Sequence, residues 1–179
     1  LHQAMVEAGA KATFRATGQT GIFIAGEGMP MDSVVADFAS GAAEQLSPDN
    51  EADHWDVIEG QGSLFHPGFA AVSLGLLHGS QPDALVICHE AGRKTINAYP
   101  DFPTPSLTEC IDLHLRMARL TNPDVKAVAV SLNTSKLDEA SAREALAAAE
   151  AETGLPASDP IRFGAARLAD AVLNAGSEG

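Results

Sequence analysis

Hydrophobic and polar positions along this chain switch between a period of two and a period near 3.6, and the switches mark its elements. The opening, from Leu1 to Gly9, reads as the back half of a helix that ends near Gly9. Lys11-Ala12-Thr13-Phe14-Arg15-Ala16-Thr17 alternates like a strand, Gly18-Gln19-Thr20-Gly21 breaks it, and a short apolar run extends to Gly26. Asp32 or Ser33 is placed to cap a helix with Val34, Val35, Phe38, Ala42 and Leu46 on one face, closed by Ser47-Pro48. A strand over Trp55–Glu59 follows an acidic loop, and the segment from Phe69 to Gly79 is apolar all round, as in a short, fully buried helix.

The second half of the chain is clearer. Ala84-Leu85-Val86-Ile87-Cys88-His89 is a continuous β-prone run of the kind that forms central parallel strands. Ser106 and Glu109 have capping-box spacing ahead of a stripe of Leu107, Ile111, Leu115 and Ala118. Arg116 and Arg119 suit that helix's last turn, and Asn122-Pro123 stops it. Val125–Leu132 is the next central strand, Leu137 to about Glu152 an Ala-rich helix, Asp159–Gly164 a loop, and Ala165–Leu173 a closing amphipathic helix. The last residues read as frayed. Strands alternate with helices, with no repeat and no linker. That order predicts one α/β domain over residues 1–179, with a mostly parallel sheet sandwiched between helices in three layers.

Composition narrows the function classes. At 179 residues, 45% hydrophobic and 20% charged, the chain is long enough to bury a core. A net charge of −13 argues against nucleic acid, whose binding is dominated by phosphate neutralisation. An anionic substrate therefore needs local cations, drawn from eleven Lys and Arg. No run approaches the roughly 18 apolar residues of a membrane span, and the start has neither the basic region nor the cleavage pattern of a signal peptide. Cys88 and Cys110 lack metal-like spacing and fall within predicted core elements, so they read as buried free thiols of a reducing cytoplasm. An assembly of identical chains is compatible with all of this.

The candidate chemistry gathers at strand ends. Within Asp56-Val57-Ile58-Glu59-Gly60-Gln61-Gly62-Ser63-Leu64-Phe65-His66-Pro67, a short apolar run ends on a carboxylate, followed by an amide, a hydroxyl and an imidazole. In open α/β sheets ligands collect outside the carboxyl ends of strands. The same edge is predicted to carry Thr17 and Gln19, His89, Glu90 and Arg93, and Asn133 and Thr134. Each has a plainer reading: His89 as a core histidine, Arg93 as a surface cation, Asn133 as a helix cap. His78 and His114, each within a helix, read as structural. No histidine pair has zinc-like spacing. Ser63 and His66 form a weak nucleophilic pair, because no G-x-S-x-G elbow is present.

These residues resemble known families. Asp56-Val57-Ile58-Glu59-Gly60-Gln61-Gly62 is similar to the V-E-G-x-G strand end of dethiobiotin-synthetase-like P-loop enzymes, in which the glutamate helps hold a nucleotide's magnesium. A wider match comprises Arg15-Ala16-Thr17-Gly18-Gln19-Thr20-Gly21, Glu59-Gly60-Gln61-Gly62-Ser63-Leu64 with His66-Pro67, and Leu74-Gly75-Leu76-Leu77-His78-Gly79. It continues through Pro82-Asp83-Ala84, Cys88-His89-Glu90 with Arg93, Leu132-Asn133-Thr134, and Thr153-Gly154-Leu155-Pro156 with Asp159-Pro160 and Arg162. As a set these motifs resemble the C-terminal P-loop-type domain of the D-glutamate N-acetyltransferase family, long described as a domain of unknown function. The resemblance implies a P-loop-like three-layer fold and acetyl transfer from acetyl-coenzyme A to the amine of D-glutamate, in bacterial D-glutamate catabolism. It also implies a phosphate loop ending a few residues before Leu1. No G-x-x-x-x-G-K-[ST] occurs here, so the sequence is expected to be a fragment without its N-terminal domain and phosphate loop.

Under that resemblance the base is His66 or Glu59, with His89 in reserve, and backbone N–H groups around Gly60–Ser63 form the oxyanion hole. Arg93, Arg15 and Arg162 are matched to the substrate carboxylates, with Gln61, Ser63 and Asn133 as further substrate contacts. Gly60, Gly62, Thr17 and Gln19 fall on the side of the acyl donor. The alternatives are ATP- and magnesium-dependent chemistry of the dethiobiotin-synthetase type, with Glu59 toward the metal, and a nucleotide-binding module without turnover.

Overall fold

The computed structural model describes residues 1–176; the chain end that the sequence suggests is frayed lies, from residue 177, outside the described residues. The order is α1 (His2–Glu7), β1 (Lys11–Arg15), α2 (Gln19–Ala25), α3 (Ala39–Glu44), β2 (His54–Ile58), α4 (Ala70–Ser80) and β3 (Ala84–Glu90). A small hairpin follows, β4 (Thr95–Ile96) and β5 (Tyr99–Pro103), then α5 (Leu107–Ala118), β6 (Lys126–Asn133), α6 (Glu139–Thr153), β7 (Ala157–Ser158) and α7 (Ala166–Gly176).

The strands of the main layer pair in parallel: β1 with β2, and β3 with β6, which in turn pairs with β7. No ladder joins β2 to β3 among the described residues, so shared helices hold the two groups together. On one face, Met5 of α1 and Leu168, Ala169 and Val172 of α7 pack against Val57, Val86, Val128 and Ala129. The register shifts between Leu85 and Val86, placing Val128 and Ala129 in the same core cluster. On the other face, α4 spans both groups, with Leu76 among the residues around Ile58 and Leu77 among those around Leu85. Leu107 of α5 and Ala149 of α6 cover Ile87 and Val130. The outcome is a parallel α/β domain layered between helices, as the alternating pattern requires.

Local signals explain the clear elements. Ser106 and Glu109 complete a reciprocal capping box on α5. Asp138 accepts from Ser141 N–H to start α6, and Gly154 ends it in the left-handed conformation at φ 71°. Gly79 lets α4 approach the chain at α3: a Cβ there would stand 2.0 Å from Ser40 O.

Two readings of the sequence are corrected, and one unassigned run is placed. The helix expected from Asp32 to Leu46 is two 3-10 turns, Met31–Ser33 and Ala36–Phe38, followed by the six-residue α3. Val35 and Phe38 therefore stay exposed, and Ala43 and Leu46 supply the buried contacts. The apolar run after Gly21 belongs to α2, whose Phe23 is 90% exposed, because a seven-residue helix buries only one side. Cys88 is not a core thiol but exposed, while Cys110 is half-buried. No helix among the described residues is long and apolar enough to cross a membrane.

Candidate functional site

The strand ends resolve into two neighbouring constellations. The first is built on Glu59. Its backbone N–H donates to Arg15 O at 2.9 Å, extending the β1–β2 pairing by one step. Its carboxylate turns back onto the start of α2, where Oε2 accepts from Thr17 N–H (2.9 Å) and Gly18 N–H (3.0 Å). Thr17 is fully buried, and its hydroxyl donates to Glu59 O at 2.8 Å. Gly21 makes room for the carboxylate: a Cβ there would lie 2.2 Å from Oε2. Gln61 lies alongside, its carbonyl accepting from Ser73 Oγ at 2.6 Å, while its Nε2 is buried without a hydrogen-bond partner among the described residues. Arg15 faces Asp56 across β1–β2, with Nε 2.6 Å from Oδ1.

The second constellation is a cavity of about 1080 Å3, slightly beyond the usual range of about 300–1,000 Å3 for small-molecule sites. Segments from across the chain meet there, the β4–β5 hairpin (Ile96, Asn97) and the stretch into α5 (Thr104, Pro105, Cys110) among them. The loop after β2 contributes Gly62, Ser63, His66 and Phe69; the end of β3 contributes His89, Glu90 and Arg93. The end of β6 adds Asn133 and Ser135, and the turn after β7 adds Asp159 to Arg162. Of the residues singled out by sequence, Gly62, Ser63, His66, His89, Arg93, Asn133 and Arg162 come together. Arg15, Thr17, Gln19, Glu59, Gly60 and Gln61 are not among the lining residues.

The polar groups of the cavity are held in different ways. Ser63 Oγ accepts from Phe65 N–H (3.2 Å) rather than meeting His66, so the weak nucleophilic pair does not form. His66 Nδ1 accepts from Gly68 N–H at 3.1 Å, and its ring lies between Phe69 (4.4 Å, stacked) and Tyr99 (5.1 Å, edge-on). Burial pushes the His89 pKa down; Arg93 adds to that, while Glu152 and Glu90 oppose it, so the ring is neutral at pH 7. Glu90 accepts from Lys136 Nζ at 2.6 Å and from Arg93, and these two cations hold its carboxyl below the usual range. Arg162 donates to Thr134 O (3.1 Å) and Leu137 O (2.8 Å). Asn133 does not cap α6; its Oδ1 accepts from Ser135 N–H at 3.0 Å.

Beneath the rim, Asp159 is buried at 4% exposure. Its carboxylate accepts from Thr134 N–H and Oγ1 (2.9 and 2.5 Å) and from Ile161 and Arg162 N–H (3.0 and 3.1 Å). Burial alone would raise its pKa; the four hydrogen bonds, led by the Thr134 hydroxyl, outweigh that and hold it below the ordinary value. His78 and His114 bond to carbonyls, Nε2 to Met117 O at 3.1 Å and Nδ1 to Cys110 O at 2.7 Å, as expected of structural histidines. Burial lowers the His114 pKa and pushes the Cys110 thiol up to about 11.

Sequence reasoning missed Tyr99 and Phe69, which cage His66, and the Thr134–Asp159 anchor. Tyr99 is the chain's single tyrosine, within Asn97-Ala98-Tyr99-Pro100, and that turn-prone setting was the available signal. For a cation, the Glu59 cluster supplies one carboxylate whose Oε2 is already taken by two amides. No group of three or more His, Cys, Asp or Glu side chains gathers as a ligand set among the described residues.

Comparisons with known proteins agree with this architecture. Residues 1–169 match the P-loop domain of DUF1611, described as a domain of unknown function. Two curated relatives carry the name D-glutamate N-acetyltransferase. One, from Tritonibacter scottomollicae, is 53% identical over 164 residues, 92% of this chain and 49% of that protein. The other, from a Pseudoalteromonas species, is 52% identical with the same coverage. A crystal structure of a DUF1611 family protein from Anabaena variabilis superposes with a TM-score of 0.89 at 43% identity, over 97% of this chain and 51% of that one. The chain thus spans about half the length of the relatives it matches.

Proposed function

This chain belongs to the DUF1611 family, and from that membership we propose that it forms the P-loop-like part of an enzyme that transfers an acetyl group from acetyl-coenzyme A to the amine of D-glutamate. The observation that carries this reading is the pair of relatives named D-glutamate N-acetyltransferase, at 53% and 52% identity over 92% of the chain. The cavity supports it by supplying what acyl transfer needs. It offers room for a thioester and an amino acid together, imidazoles for proton transfer, and guanidinium groups for a dicarboxylate.

In this reading the neutral amine attacks the thioester carbonyl carbon. The N–C bond forms, the C–S bond breaks, and the amine proton passes through an imidazole to the departing sulfur. His66 and His89 are the imidazoles of the cavity, while Glu59, bonded to the Thr17 and Gly18 amides, lies outside its lining. Arg93 and Arg162 bring positive charge to a cavity in a chain of net charge −13, where a substrate with two carboxylates needs it. Gly62, Ser63 and Asn133 complete the wall around the reacting groups.

Incubating the intact protein with acetyl-coenzyme A and D- or L-glutamate, and following free thiol, tests the reading. Thiol release with D-glutamate, matched by N-acetylglutamate formed, is expected. No release with either enantiomer, or turnover that needs ATP and magnesium, overturns it.

A further inference from the structure

His66 and His89 line one cavity, and their rings are held differently. Gly68 N–H donates to His66 Nδ1 at 3.1 Å. A nitrogen that accepts from an amide carries no proton, so the neutral ring holds its hydrogen on Nε2. The ring cannot readily turn over to reverse this. Phe69 stacks on it with centroids 4.4 Å apart and planes at 27°, and Tyr99 meets it edge-on at 5.1 Å. A flip would also put a carbon where Gly68 now finds its acceptor. His66 therefore keeps an N–H, not a lone pair, at Nε2. His89 differs: no hydrogen bond among the described residues engages its ring. The groups facing it are Glu90 at the end of β3, Arg93 beyond it and Glu152 of α6.

We propose a division of labour in which His66, through Nε2–H, donates a hydrogen bond to the thioester oxygen as negative charge develops there, and His89 takes the proton from the attacking amine. This rests on the acetyl-transfer reading and assigns the parts within it. The substrate nitrogen bonds to the carbonyl carbon, its proton moves to His89, and that proton leaves with the coenzyme A sulfur as the C–S bond breaks. His66 ends the cycle with the proton it began with. A fixed donor at a developing oxyanion is worth about 100- to 1,000-fold in rate.

Two measurements test this separately. Long-range proton–nitrogen correlation spectra of the unaltered protein at neutral pH should show His66 protonated on Nε2 and bare on Nδ1; a proton on Nδ1 overturns the proposal, whatever the activity. In the intact protein, His66→Ala should lower kcat by about 100-fold or more, while His66→Gln, which keeps an N–H near the Nε2 position, recovers at least tenfold of the loss. The acidic limb of kcat/KM should survive in His66→Gln and vanish in His89→Gln. Loss of that limb in His66→Gln would make His66 the base and overturn the assignment. If the unaltered protein released no thiol at all, the acetyl-transfer reading itself would fail, while the nitrogen spectra would still report the tautomer.

Discussion

Glu59 looks like part of a ligand site in sequence, and in space its carboxylate also fastens the strand end to the start of α2. A carboxylate at a strand end, followed by Gly60-Gln61-Gly62, suggests a ligand site, yet its Oε2 is occupied by the amides of Thr17 and Gly18. Those are charge-assisted bonds, about 1.5–3 kcal/mol each by mutational standards. Gly21 is the residue that permits them, since a Cβ there would lie 2.2 Å from Oε2 and 2.8 Å from the carboxyl carbon. Gly21→Ala gains about 1 kcal/mol of helix propensity in α2. It must also displace the carboxylate, and losing even one of the two bonds exceeds that gain. Net destabilisation of about 2 kcal/mol is expected in urea titrations. A variant as stable as the parent would show that the carboxylate is not held there.

At the scale of elements, legibility followed sequence-local physics. The α5 capping box and the buried run of β6 rest on neighbours a few residues apart, and both appear where the sequence places them. The region between Asp32 and Leu46 misled because a 3.6-residue apolar period is only permissive: two short turns satisfy the same residues once Met31 and Leu46 find the core. The β4–β5 hairpin was illegible because β4 is only two residues long, β5 is mostly exposed, and its turn breaks the usual chemistry. Ile96 pairs with Tyr99 around Asn97 and Ala98, and Ala98 sits at φ 64°, where glycine is the ordinary choice. An alanine in that left-handed conformation is strained by about 1 kcal/mol or more. Ala98→Gly should therefore raise the melting temperature by a few degrees without moving Tyr99 from His66. Ala98→Val should lower it by more, because a branched side chain fits that conformation worst. A glycine variant that melts earlier than the parent would remove the strain argument.

For the molecule as a whole, parallel order decides which distant residues meet, and this much of the site was readable: β3 and β6 are neighbours, so His89, Glu90 and Asn133 had to share an edge. What the sequence could not reveal was that the β1–β2 ends would close on themselves through Glu59, nor that the turn after β7 would join the cavity wall through Asp159. That turn also bears on the response to acid. Asp53, Glu90, Glu109, Asp138 and Asp159 all have pKa values held below their ordinary ones. A depressed carboxyl contributes stability that is complete above the unfolded value, about 4, and is lost as pH falls through the folded value, because the unfolded chain binds the extra proton first. Of the five only Asp159 is buried, with four hydrogen bonds to lose. The net charge of −13 acts in the opposite sense, since protonation relieves self-repulsion, but that term lies among exposed groups and fades in salt, where the screening length is about 3 Å at 1 M. In 1 M salt, stability should therefore fall steadily below about pH 4. Asp159→Asn should lose about 2 kcal/mol at pH 7 and show a flatter acid limb, because the residue that carried the proton linkage is gone. Urea midpoints of parent and variant between pH 7 and pH 3 decide it: parallel curves would place the linkage elsewhere, and convergence at low pH would assign it to the carboxylate beneath the cavity.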